Sequence, residues 1–262
     1  MIPQLRNYVL RRLATLLIES GTFRRHLGEL DANFDPRFLR AAGLLRNASD
    51  QEAIFARNLV NDIAPDIPLW VLHETRDKTG GFFVEFGAAD GVSLSNTYLL
   101  ERDYAWRGIV AEPNPVWHAA LERNRTAAID LRCVFTTTGA RVKFAATQAA
   151  VLGTIAEFAS CDGHALSRRD HQIIEVETVS LNHLLEAHGA PRDIDFVSID
   201  TEGSELEILQ QFDFDKWNVR LFSVEHNLTA REPMLDRLMQ QHGYERRYPG
   251  YPVLDAWYRR AA

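Results

Sequence analysis

The stretch FFVEFGAADG, residues 82–91, decides how this chain is read. Phe82, Phe83, Val84 and Phe86 form an apolar run around one acid, Glu85, and Gly87 and Gly91 bracket a short turn before SLSNTYLLE, a helix-like segment. The expectation is a strand, a tight loop and a helix start. In doubly wound α/β proteins a nucleotide-like ligand lies at this junction, because bare backbone permits close approach and the first helical turn offers unpaired N–H groups. The segment therefore points to a cofactor-binding enzyme.

Outward from it, strand-like segments fall at Phe82–Phe86, Gly108–Ala111, Leu131–Thr136, Asp195–Ile199 and Leu221–Val224. Helical segments lie at Ser95–Arg102, Val116–Arg123, Leu181–Ala187, Ser204–Gln211 and Pro233–Gln241, the third punctuated by Ser180 as N-cap, Gly189 past its end and Pro191 beyond. Such alternation predicts an α/β fold with a mostly parallel sheet and helices on both faces. The C-terminal YERRYPGYPVLDAWYRR reads as two short strands around Pro249 and Gly250, a terminal hairpin. Residues 138–176 read as an irregular insertion, of the kind that serves as a lid or substrate loop or that holds a short hairpin.

Residues 1–78 read as a helical extension joined near Thr79 and Gly80 to the domain 79–262. Leu10, Leu13, Leu16 and Leu17 recur at helical spacing, which suits a cap on the body, a homodimer contact or a membrane-surface helix. The apolar run LATLLI is too short for a signal core or a bilayer span, so no integral membrane segment is expected. With 262 residues, 46% hydrophobic, the chain can bury one sizeable core. Its net charge of -7 argues against nucleic acid as a partner, which needs a basic face. Cys133 and Cys161 stand in no metal or redox spacing; reduced cysteines imply a cytoplasmic setting.

The loop reads Gly87, Ala88, Ala89, Asp90, Gly91, Val92 and not G-x-G-x-x-G, so the fingerprint of a nucleotide-dependent oxidoreductase is missing. Its spacing suits a ligand without a pyrophosphate. Downstream, Gly108–Glu112 forms a second strand ending in an acid. A lone acid there is often a solvated loop carboxylate, but beside the glycine loop Glu112 becomes the candidate ligand for two ribose hydroxyls.

Four segments in order, FFVEFGAADGVSLSNTYLLE, GIVAEPNPVWHAAL, VETVSLNHLL and IDFVSIDTEGSELEIL, resemble the motifs of the FkbM-type family of class I S-adenosylmethionine-dependent methyltransferases, over roughly Gly80 to Asn227. The resemblance implies a Rossmann-like sheet of seven strands whose last strand is antiparallel, and S-adenosylmethionine as cofactor. Carried over by position, Glu85, Gly87, Ala88, Asp90 and Gly91 would surround its methionine part, with Ser95 and Asn96 at the following helix start. Ala89 stands where the broader class has its middle glycine. The implied activity is O-methylation of a small-molecule or glycan hydroxyl: a sugar, a glycan or a secondary metabolite.

The fourth and fifth strands end in polar clusters, Asp200-Thr201-Glu202-Gly203-Ser204-Glu205 and Glu225-His226-Asn227. First-turn acids of a helix account for Glu202 and Glu205. Asp200, Glu225 and His226 are harder to assign to packing, because an unpaired buried charge is costly. A hydroxyl nucleophile must lose its proton, so His226 or Asp200 is the candidate general base, with Glu225 beside it. The same Asp200, Glu225 and His226 could instead hold a divalent cation such as Mg2+. His164, Ser167, Arg168 and Arg169 could touch substrate or be plain surface polarity. A non-catalytic module of the same fold is the rival reading; the retained acids count against it.

Overall fold

The structure, a computed structural model, describes residues 66–147, 152–159, 171–227, 229–249 and 254–261. The chain separates into two compact units, Met1–Lys78 and Thr79–Ala262. Of the first unit, helix α1 (Asp66–Thr75) and the turn after it are described; the leucines from Leu10 to Leu17 lie outside the described residues, as do His164, Ser167, Arg168 and Arg169 of the insertion. In α1 the Thr75 hydroxyl donates back to Val71 O at 2.7 Å, and Arg76 and Asp77 then turn the chain at positive φ. Among the described residues no helix is long and apolar enough to cross a membrane.

The second unit runs β1 (Phe82–Phe86), α2 (Tyr98–Tyr104), β2 (Arg107–Ala111), α3 (Pro115–Asn124), β3 (Ala128–Asp130), β4 (Cys133–Phe135), β5 (Arg141–Thr147), β6 (Thr154–Ile155), β7 (His171–Ser180), α4 (Leu181–Ala187), β8 (Asp193–Ile199), α5 (Glu205–Gln210), β9 (Asn218–Glu225), α6 (Glu232–Gln241), β10 (Tyr244–Arg247) and β11 (Asp255–Arg260). Seven strands form the main sheet in the order β10-β11-β9-β8-β1-β2-β3. β11 runs antiparallel to both its neighbours, and the pairings from β9 through β3 are parallel. Strand order reverses between β1 and β8, which is where an open α/β sheet opens a crevice.

The central strands read as near-continuous apolar runs because both their faces are covered. Val84, Ile109, Val197, Phe222 and Val224 share one core with Leu184 and Leu185 of α4, Ile208 and Leu209 of α5, and Leu235 and Met239 of α6. On the other face the Arg125 guanidinium lies 5.4 Å from the Phe83 ring centre. Gly108 is required by packing, since a Cβ there would sit 2.2 Å from Phe83 O.

Two sequence expectations change. The segment Leu131–Thr136 is not the third strand of the main sheet: that strand is β3, just before it, and a turn in which Asp130 Oδ1 accepts the Arg132 amide at 3.0 Å separates β3 from β4, which joins a second sheet. The insertion 138–176, where described, is not irregular. β5 pairs antiparallel with β7 over seven residues, and with β4 and β6 they form a four-stranded sheet, order β4-β7-β5-β6. Arg141 faces Glu177 and Lys143 faces Glu175 across the pair, a charge register that fixes the alignment. Cys133, Phe144, Ile155, Phe158 and Val176 make its small core.

Candidate active site

Sheet register sets the site. Phe86, the last residue of β1, is level with Ala111 of β2 and Ile199 of β8, and Ile199 is level with Val224 of β9. The next residue on each strand therefore falls in one row across the sheet's carboxyl edge: Glu225, Asp200, Gly87, Glu112. Gly87 has φ +80, and a Cβ there would come 1.9 Å from Asp200 O, so only glycine lets the first loop lie against the end of β8. The Gly87 and Ala88 amides donate to Ala111 O at 3.1 and 3.2 Å, and the Ala89 amide donates to Glu112 Oε2 at 2.9 Å. Ala89 sits at φ +46, a left-handed position otherwise favoured by glycine.

Above this row lies a cleft of about 540 Å³, open to solvent, whose walls include Gly87, Ala89, Glu112, Arg132, Asp200 and Glu202. Phe144 and Ile155 of the second sheet close its other side. That sheet is pinned to the loop after β8 by Thr154, 1% exposed, whose hydroxyl donates to Glu202 O at 2.9 Å. Glu112 is 5% exposed; burial pushes its carboxyl up to about 7, against the Asn114 and Ala89 amides that favour the anion. Cys133, also on the wall, is raised to about 12 by burial and by Glu112, so it is a thiol at neutral pH.

Of the residues expected around the cofactor, Gly87 and Glu112 line the cleft, while Glu85, Ala88, Asp90, Gly91, Ser95 and Asn96 are not among its walls. Glu85 instead accepts from the Asn96 amide at 2.6 Å, Ser95 Oγ at 2.9 Å, Thr97 Oγ1 at 2.5 Å and Arg125 Nη1 at 3.2 Å. The Arg125 side chain is fully buried and also reaches Glu101, Gly91 O, Ser95 and Thr97. The acid in β1 thus anchors the loop from beneath. Ser95 and Asn96 precede α2, whose N-cap is Thr97. Asp90 accepts from the Val92 and Ser93 amides and the Ser93 hydroxyl; burial opposes its charge, but these donors outweigh it and hold its carboxyl below the usual range. Gly91 turns at φ +79 against Arg125 and Leu121.

After β8, Glu205 accepts from the amides of Thr201 and Gly203 and from the Thr201 hydroxyl, which ties the loop before α5 to that helix's first residue. Asp200 and Glu225 are each raised, first by burial and then by neighbouring acids, Glu202 and Asp255 for Asp200, Asp200 and Glu202 for Glu225. Two buried acids this close disfavour double ionisation, so the pair tends to hold one proton between them. Asp200 lies on the cleft wall and shares this proton with Glu225.

His226 is not in this cleft. One step beyond the row, it lines a second pocket, open to solvent and enclosing about 420 Å³, with Glu225, Asn227 and Glu232. Its Nδ1 is 3.7 Å from Glu232 Oε2 and its Nε2 3.4 Å from Arg246 Nη2. Burial first, and Arg246 next, depress its pKa against the pull of Glu232. The metal-competent group among the described residues is accordingly Asp200, Glu202 and Glu225, with ligand oxygens within 4.8 Å of one another, and His226 has no part in it. Sequence reading missed Arg132, Thr154 and the Arg125 anchor. Only the first left a signal, the D-x-R turn at 130–132.

The reversed strand order, the antiparallel last strand and the glycine loop at the crevice define a class I methyltransferase. The Methyltransferase FkbM domain matches residues 85–246, more than half of the 262, and the chain belongs to that family. No curated protein matches it. Solved structures similar to it include a precorrin-6y C5,15-methyltransferase from Geobacter metallireducens, at 11% identity and TM-score 0.38 over 74% of this chain and 85% of that one. A putative RNA methyltransferase from Pyrococcus horikoshii is similar at 10% identity and TM-score 0.40, over 93% and 99%. At these scores neither likeness supports a conclusion, and the family rests on the domain match.

Proposed function

We propose that the chain is an S-adenosylmethionine-dependent O-methyltransferase acting on a hydroxyl of a sugar, a glycan or a secondary metabolite, with 79–262 as the catalytic domain and 1–78 as a cap or dimerisation arm. One observation carries this reading: Gly87, Glu112 and Asp200 follow three adjacent strands in one row and share one cleft. S-adenosylmethionine, when bound, supplies an electrophilic methyl on a sulfonium. The wall suits that cation, since among the described residues it carries Glu112, Asp200 and Glu202 and one guanidinium, Arg132. Glu112 keeps lone pairs for ribose hydroxyls beyond the two amides it accepts. Asp200 accepts the proton of the acceptor hydroxyl, and its Glu225 partner keeps it oriented. Phe144 and Ile155 give the same space an apolar wall. The hydroxyl preference is supported by the family resemblance alone.

A divalent cation on Asp200, Glu202 and Glu225 is a second reading, favoured by Glu225 Oε2, which is buried and has no hydrogen-bond partner among the described residues. Methyl transfer from labelled S-adenosylmethionine to a panel of sugars and glycosides tests both. Asp200→Asn should lower turnover by about 10²-fold or more, with S-adenosylhomocysteine affinity nearly unchanged. Absence of S-adenosylhomocysteine binding, or NAD binding in its place, refutes the first reading. Full activity in chelator refutes the second.

A further inference from the structure

We propose that Arg132 is the residue that recognises the purine base of the cofactor, and that Asp130 and His188 hold it in position for that contact. The proposal rests on the S-adenosylmethionine reading of the cleft. It follows from the order of the row. Asp200 and Gly87 stand at the sulfonium end, Glu112 at the ribose, and β3 is the next strand out, with Asp130 level with Ala111. The Glu112 amide donates to Asp130 O at 3.0 Å, so the ends of β2 and β3 are directly joined. A ligand lying along the carboxyl edge must carry its base past Glu112, where the cleft wall is Pro113, Arg132 and Cys133.

Arg132 is held as a recognition group needs to be. Its Nε donates to Asp130 Oδ1 at 2.9 Å and its Nη2 to Oδ2 at 2.6 Å, a fork that fixes the guanidinium plane. His188 Nε2 lies 2.9 Å from the same Oδ2, fixing Asp130 from the end of α4. Both oxygens of Asp130, which is 5% exposed, are thereby committed to the protein. The Arg132 side chain stays 28% exposed, with Nη1 outside the Asp130 fork and the Glu177 carboxylate near enough to favour its charge. A guanidinium fixed along one edge offers the opposite edge as a donor and its flat face for stacking, which matches the acceptor nitrogens and π-face of a purine. As a mere surface ion pair the same fork would contribute little.

Calorimetry with S-adenosylhomocysteine and with 5′-methylthioadenosine, which keeps the base and ribose but lacks the amino acid, tests this. Arg132→Ala should weaken both ligands by about 10-fold or more, the loss expected for one hydrogen bond from a charged group. Arg132→Lys should recover only part of it, because the charge returns without the plane. Asp130→Asn should weaken binding while Arg132 is present and add nothing in the Arg132→Ala background. Arg132→Ala serves alone if Asp130→Asn does not fold. Unchanged affinity for 5′-methylthioadenosine in Arg132→Ala overturns the proposal, whereas failure of the unsubstituted protein to bind either ligand overturns the cofactor reading beneath it.

Discussion

Replacing Arg125 with Met separates the two roles open to Glu85, loop anchor or cofactor ligand. The Arg125 guanidinium is fully buried and makes five hydrogen bonds, to Glu101 at 2.6 Å, Glu85 at 3.2 Å, Gly91 O at 3.2 Å, Ser95 at 3.1 Å and Thr97 at 2.8 Å. Methionine fills similar space but leaves the Glu85 carboxylate, whose side chain is 4% exposed, without its cation. Removing one partner of a buried pair costs about 3–5 kcal/mol. For a domain of this size each kcal/mol moves Tm by roughly 2–4 °C, so Arg125→Met should lower Tm by about 6–20 °C. Thermal unfolding followed by circular dichroism reads this. Adding Glu85→Gln removes the stranded charge and should restore a good part of the loss. At 15 °C, S-adenosylhomocysteine affinity of Glu85→Gln should stay within about threefold, the scatter allowed for a group that only anchors the loop. A Tm shift under 2 °C in Arg125→Met, or a large affinity loss in Glu85→Gln with Tm unchanged, refutes the anchor role.

Gly87→Ala should cost about 2 kcal/mol or more in urea unfolding, since its Cβ would meet Asp200 O at 1.9 Å; Gly139→Ala, with the same positive φ and open space, isolates the backbone part at about 1 kcal/mol. Glu112, raised to about 7 by burial, binds its proton more tightly folded than unfolded, so this group stabilises the fold below its unfolded value and the gain is lost as pH rises through about 7. Cofactor affinity should move the opposite way, rising about tenfold per pH unit below 7 as the anion forms, and a Glu112→Gln protein should show a flat profile. Thr154→Val removes the hydroxyl that ties the second sheet to Glu202 O and should cost about 1–2 kcal/mol, with faster hydrogen exchange at Thr201 and Glu202 than in Thr178→Val.

Much of the main sheet was legible because its signals are local. β1 and α4 fall where the apolar run and the Ser180 cap put them, and the terminal hairpin follows from its central Pro-Gly. The second sheet was not, because its longest pairing joins Arg141 to Glu177 across a stretch that no local period spans. Its clue was distributed: alternating charges in RVK and in EVE fit each other only once the strands are laid antiparallel. The third strand failed for a related reason. Propensity runs unbroken through LRCVFTT, and one side-chain hydrogen bond, from the Arg132 amide to Asp130, ends one strand before the next begins.

The site residues divide by their distance from the ends of the strands. Glu112 and Asp200 each follow the last residue of their strand, while Glu85 precedes the last residue of β1 and His226 lies one step past the row. At about 3.3 Å per residue, Glu85 is set back two places from the row, roughly 7 Å below the carboxyl edge, where the only solvent is protein and an acid survives by pairing with Arg125. His226, one step past the row, lines the second cavity with Glu232, and Glu225 at the end of the row borders that cavity too. Residue type in the sequence therefore identifies a pool of acids and a histidine, but chemistry at the cleft falls to those in phase with the sheet's edge. That phase depends on the register of β1 against β2 and β8, a long-range quantity that the spacing of motifs along the chain does not encode.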